Sequence, residues 1–291
     1  MRFSRLGILV LISVTVLLGT NCSYYNRIMA RKSLVDGASA YKNRKFAEAE
    51  QLFRNAVSRD PDGKTLEGKT AQLFLARTLH SEYIGDRGNR IKAEEAVKEY
   101  QKVLRENPND QSSFKAVANL YENLQMPDDW LKWVTDRSNN EAIPKEQRSE
   151  ALTSLAAKKN SCAAEVTDAE AVKKTVTGKD GKQVFQFVKP ANPEDFDKLK
   201  KCTEEGLELT AKAVEYDPNS DSAWSYRTNM LVQKMRVSEM EGNTAEKDSY
   251  KKQADDAKAK FTVLAEAKRK KEEEEAARKK AEEEAANTQK K

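Results

Sequence analysis

Few residues in this chain could do chemistry. Its one histidine, His80, rules out a histidine-rich metal site. The acidic pairs Asp128-Asp129 and Asp255-Asp256 are adjacent in sequence. Adjacent residues on a helix do not face one another, so neither pair forms an acid–base dyad. Lys179-Asp180-Gly181-Lys182 lacks the glycine spacing, and the Ser or Thr after Lys, that a phosphate-binding loop needs. No Gly-x-Ser-x-Gly elbow or dinucleotide fingerprint occurs. What remains is recognition. Lys115 and Asn119 lie one helical turn apart and could together grip a peptide backbone or a carboxylate; the alternative is that both are simply solvated. The expectation is a binding protein with no catalytic residue, no cofactor and no metal.

The elements that must position such residues are helical. The chain has 291 residues, 34% of them charged and 7% aromatic, with only 11 Gly and 7 Pro. That mixture points to a mostly helical protein. The formal charge of +5 is modest for so many charged residues, which argues against a nucleic-acid surface. The most informative stretch runs from Gly37 to Pro61. Gly37, Ala38 and Tyr41 sit about one turn apart. After a polar break at 42–45, Phe46, Ala49, Phe53, Ala56 and Val57 recur at three and four residues, one face of a second helix. Asp60-Pro61 stops that helix, because a residue before proline is pushed out of the α region.

This helix–turn–helix resembles a tetratricopeptide (TPR) unit on the residues Gly37, Ala49, Phe53, Ala56 and Pro61. One such hairpin cannot bury its apolar face alone, so the unit should recur. Second-helix patterns reappear at 96–104 before Asn107-Pro108 and at 206–214 before Asp217-Pro218. First-helix patterns appear at Leu73, Leu75, Ala76 and Leu79, then at Phe114, Val117, Ala118 and Tyr121, at Leu152, Leu155 and Ala156, and again at Trp224 and Leu231. The resemblance implies an all-α, TPR-like helical-hairpin solenoid over 33–261. It also implies a concave face, lined by first helices, that takes a protein or peptide segment. The positions matching the groove-facing pattern are Ala38, Tyr41, Lys42, Arg77, His80, Ser81, Lys115, Asn119, Glu122 and Asn229.

Two segments interrupt the helical pattern. Around 172–190, Asp180-Gly181 flanked by β-branched and aromatic residues predicts a small β-hairpin inserted between two helices. From Lys268, blocks of Lys/Arg and Glu alternate with i,i+4 pairing. This 262–291 segment has no apolar a/d seam, so it reads as a solvated charged helical tail.

The start of the chain reads as a targeting segment. Arg2 and Arg5 precede an uncharged apolar run, Leu6 to Gly19, that is short for a span of ~20 residues. The run ends near Cys22 and resembles a bacterial lipoprotein signal, in which the cysteine carries lipid. Ordinary secretion and an uncleaved anchor are the alternatives. All three put the body outside the cytoplasm, in the cell envelope and tethered at a membrane in two of them. Tyr24 to Lys32 then reads as a polar linker. With Cys22 lipidated, Cys162 and Cys202 remain as an even pair of the three cysteines. They are expected to form a disulfide in an oxidising compartment, with two separate buried thiols as the alternative. The functional expectation is an adaptor that holds partner proteins at the envelope. A structural spacer that uses the charged tail is the second reading.

Overall fold

A computed structural model of the chain describes residues 5–177 and 181–288, with side chains for 24–177 and 181–284. Ten α-helices and one two-stranded antiparallel sheet occur among the described residues. The chain divides into two compact units, Met1–Trp130 and Leu131–Lys291. Both are built of antiparallel helical hairpins of the TPR type.

The first unit holds α1 (Arg5–Lys42), α2 (Phe46–Arg59), α3 (Leu66–Gly85), α4 (Arg90–Glu106) and α5 (Gln111–Asn123). Its core is the inner face of α2, where Ala49, Phe53 and Ala56 are buried. Phe53 stacks on Phe74 of α3 with ring centroids 5.4 Å apart. The same ring lies over Gly37 of α1, where an added Cβ would sit 2.7 Å from the ring edge. A larger residue at 37 would therefore push α1 away from α2. At the next turn the Asp60 carboxylate accepts from the Thr65 amide (2.7 Å) and the Lys64 amide (3.0 Å). It fills the space beside Gly68, whose missing side chain admits it. Burial works to raise the Asp60 carboxyl, but the Thr65 hydroxyl, which donates to it at 2.6 Å, together with the two amides outweighs burial and holds the group below its usual range.

Helix α1 differs from the sequence expectation. The stretch 24–32 is not a linker but part of one continuous helix. Ala30 is buried, Arg27 reaches Glu67 of α3 at 3.1 Å, and Arg59 of α2 reaches Asn26 at 3.3 Å. The buried side offers only small residues such as Ala30, while the exposed side mixes Tyr24, Tyr25 and Ile28 with Arg27, Arg31 and Lys32, so no amphipathic period marks the segment; it packs as a helix against α2 and α3. Among the residues whose side chains are described, 24–177 and 181–284, no helix is long and apolar enough to cross a membrane.

Helix α6 (Pro127–Asn139) opens with proline in its first turn, where no amide is lost to the helix ladder. The second unit continues with α7 (Lys145–Thr167), β1 (Lys173–Thr177), β2 (Gln183–Phe187), α8 (Pro193–Tyr216), α9 (Asp221–Glu241) and α10 (Thr244–Thr288). The strands pair with Thr175 opposite Phe185 and Val176 opposite Val184. The hairpin stands on a buried cluster that includes Val172, Phe187, Phe196, Leu199 and Val237. The Phe187 amide donates to the Glu239 carboxylate of α9 at 3.2 Å, and Arg236 covers the Phe187 ring at 4.6 Å. Cys162 of α7 and Cys202 of α8 are joined through sulfur with Cα atoms 6.1 Å apart, below the hairpin. Closing a loop of sequence separation 40 is worth roughly 4 kcal/mol in the chain-entropy account.

Gly37→Ala should destabilise the protein by about 1–3 kcal/mol, because the Phe53 ring must shift. Gly85 has open space where a Cβ would go, so Gly85→Ala should leave stability unchanged or raise it by up to about 1 kcal/mol. Urea-unfolding midpoints of the two variants check this pair.

Candidate partner-binding face

The residues matching the groove pattern fall into two rows in the first unit. The first row crosses α1 and α3. Tyr41 is half-buried, its hydroxyl 3.1 Å from Ser81 Oγ. Its ring meets Phe46 edge-on at 5.4 Å and Phe74 at 6.1 Å. The Arg77 guanidinium lies 5.7 Å from the centre of the Phe74 ring. Tyr41 and Arg77 are thus seated on one aromatic base, with Lys42 exposed at the end of α1. A Tyr, an Arg and a Lys there offer stacking surface and cationic donors, which suit a peptide with carbonyl and carboxylate groups.

His80 lies one turn after Arg77 and faces inward. Its Nδ1 sits 3.5 Å from the Tyr100 hydroxyl, and its Nε2 is buried with no hydrogen-bond partner. Burial pushes the imidazole below its ordinary pKa of 6.5, and the Arg87 charge adds to this. Burial also pushes the Tyr100 hydroxyl well up. His80 is therefore a neutral packing residue under the groove rather than a ligand on it.

The second row is on α5. Lys115, Asn119 and Glu122 are exposed along one face, and the Asn123 side chain donates to Asn119 Oδ1 at 2.8 Å. Tyr121, between Asn119 and Glu122 on the same helix, accepts from Gln101 of α4 at 3.2 Å. Helices α3 and α5 meet where the Tyr83 hydroxyl donates to the Asn123 carbonyl at 3.4 Å. Asn229, exposed on α9, belongs to the second unit. Cys22 lies outside the residues whose side chains are described.

The sequence reading missed two features. The first is a charge network that ties α2, α3 and α4 together. Lys92 lies 2.5 Å from Glu50 and 3.0 Å from Glu82, and Arg54 lies 2.7 Å from Glu50 and 2.5 Å from Glu95. Burial would raise Glu50, but Lys92 and Arg54 hold it low; at Glu82 burial wins and the carboxyl is raised. The second is a recess of about 620 Å³ at the loop ends of α2–α4, lined by Val57, Leu73 and Val103 with Lys69 and Arg105. Both depend on residues about one hairpin apart, so no local pattern marks them. Among the described residues no group of three or more His, Cys, Asp or Glu is placed to hold a metal ion.

No family model matches this chain, and no curated protein matches it. Several solved structures align with it. YrrB, described as a TPR protein with an unusual peptide-binding site, aligns over 86% of this chain and 97% of its own, at 13% identity and a TM-score of 0.36. PilF of Pseudomonas aeruginosa aligns over 83% and 99%, at 11% identity and a TM-score of 0.38. MamA of Desulfovibrio magneticus RS-1 aligns over 82% and 96%, at 14% identity and a TM-score of 0.35. The fold assignment rests on the chain's own hairpins and their packing, described above.

The depressed imidazole has a definite sign. The folded state binds the His80 proton at lower pH than the unfolded chain does. Its share of stability is complete above about pH 6.5 and is lost as pH falls toward the folded value. The stability of His80→Gln should fall less than that of the wild type between about pH 7.5 and about pH 5.5, as read by urea midpoints at each pH.

Proposed function

We propose that this chain is a non-enzymatic adaptor that takes an extended segment of a partner protein along the first-helix face of its hairpins. The observation that carries the reading is the α1–α3 row. Tyr41 and Arg77 are held in place by packing on Phe74, and Lys42 stands exposed beside them. Side chains fixed by packing lose little freedom on binding, which favours a recognition surface. Lys115, Asn119 and Glu122 on α5 extend the set of donors and acceptors.

We place the adaptor at a bacterial membrane, with its body outside the cytoplasm. This part of the reading rests on Arg2, Arg5 and the apolar run ending near Cys22. The Cys162–Cys202 linkage fits an oxidising compartment. Intact mass of the native protein, before and after reduction and alkylation, tests it. Loss of the segment before Cys22, added acyl mass and two thiols freed only by reduction are expected. An unprocessed chain with free thiols would reject the placement.

A second reading is favoured by α10. Lys268 pairs with Asp221 of α9 at 3.1 Å, and beyond it the described side chains of α10 are all exposed. The 21 residues from Lys268 to Thr288 span ~30 Å at helical rise, enough for a spacer. The two readings separate by variants in crosslinking pull-downs from envelope fractions. The adaptor expects Tyr41→Ala with Arg77→Ala, or Lys115→Ala with Asn119→Ala, to lower partner capture about tenfold or more, and removal of 268–291 to spare it. Full capture by both groove variants, with loss on removing the tail, would replace the adaptor by the spacer.

A further inference from the structure

The outer face of α1 is dressed unlike the end of a helical stack. On the inner side Ala30, Gly37 and Ala40 are buried, and the helix packs against α2 and α3. The opposite side has no neighbouring element among the described residues. An end helix of a hairpin stack ordinarily carries a polar outer face. Here Tyr24 is 68% exposed, Tyr25 56%, Ile28 49% and Val35 60%. At about 100° per residue these four fall within one arc of about 120°, together with Arg31 and Lys32. Asp36 stands at the edge of the arc as its one acid.

Aromatic rings, aliphatic side chains and cations on one exposed helical stripe have the chemistry of an interfacial helix. Tyr sits at the headgroup level, Ile and Val reach the acyl boundary, and Arg and Lys meet anionic phosphates. We propose that the face of α1 formed by Tyr24, Tyr25, Ile28, Arg31, Lys32 and Val35 lies flat on an anionic lipid surface. Charge selects this occupant. A second copy laid on the same face would set Arg31 and Lys32 against their equivalents, and like charges repel. An anionic bilayer attracts each basic residue held near its surface. The inference goes beyond partner capture and does not require acylation of Cys22.

Lying and standing helices make different contacts. Tyr24 and Val35 are ~16 Å apart along the axis, whereas each headgroup layer is about 5–8 Å thick. A helix standing on the surface would place only the Tyr24 end among lipids. The full chain, with a photo-crosslinking benzoylphenylalanine at Ile28, at Val35 or at the exposed Ser58 of α2, is added to vesicles of phosphatidylcholine alone or mixed equally with phosphatidylglycerol. Lipid adducts should form from positions 28 and 35 but not from 58. Their yield should drop about fivefold or more in phosphatidylcholine alone, or when Arg31→Glu and Lys32→Glu are combined. Circular dichroism of that charge variant should be unchanged, since both residues are exposed. Adducts from 28 without 35 would mean a standing helix and would overturn the proposal. Adducts to protein only, equal yield from 58, or equal yield on both vesicles would also overturn it. The groove residues are untouched in these variants, so partner capture is read separately.

Discussion

The ring of Phe53 is the point on which the first unit depends. It occupies the space left by the absent side chain of Gly37 and lies against Phe74. One side chain thereby sets the distance between α1 and α2 and the distance from α2 to α3. Phe74 then carries the consequence outward, since Tyr41 and Arg77 rest on it. The face proposed for recognition and the core are two sides of the same aromatic group. Dispersion and area burial hold it, while the polar tips of Tyr41 and Arg77 stand at its edge.

The charged residues divide into two kinds. The Lys92–Glu50–Glu82 group joins three helices in a partly screened place, where breaking one partner leaves others uncompensated. The pairs along the end of α10, such as Arg269 with Glu273 at 3.8 Å and Arg278 with Glu282 at 3.6 Å, are exposed and local. Each of those adds a few tenths of a kcal/mol to one helix and joins nothing else. A chain that is 34% charged can thus be tightly cross-braced at one end and loosely solvated at the other.

Much of this was legible in the residues. The three- and four-residue recurrence of Phe46, Ala49, Phe53 and Ala56 marks α2 because each of these side chains is large enough, or small enough, to have only one workable place. Asp180-Gly181 between β-branched runs marks the strand pair for a similar local reason. The stretch from Tyr24 to Lys32 was not legible, since its buried side is made of small residues that hydropathy barely registers. The α1–α3 row could be read only in part. The positions of Tyr41 and Arg77 follow from helical spacing, but their common seat on Phe74 is a tertiary fact. The inward turn of His80 also needs Tyr100, twenty residues away, to be seen.

The linkage between Cys162 and Cys202 sets the hairpin apart from the rest of the second unit in a way that bears on variation. Everything between the two cysteines leaves and returns through a single fixed gate, and α7 and α8 are already registered against each other at that gate. Residues on the far side of it can be lengthened, shortened or replaced while the helices beneath keep their places, so long as the short apolar footing of the loop survives. The exposed strand surface around Val184 and Phe185 lies beyond that gate, so an epitope or affinity tag grafted there would reach the helices only through the footing at Phe187 and α9.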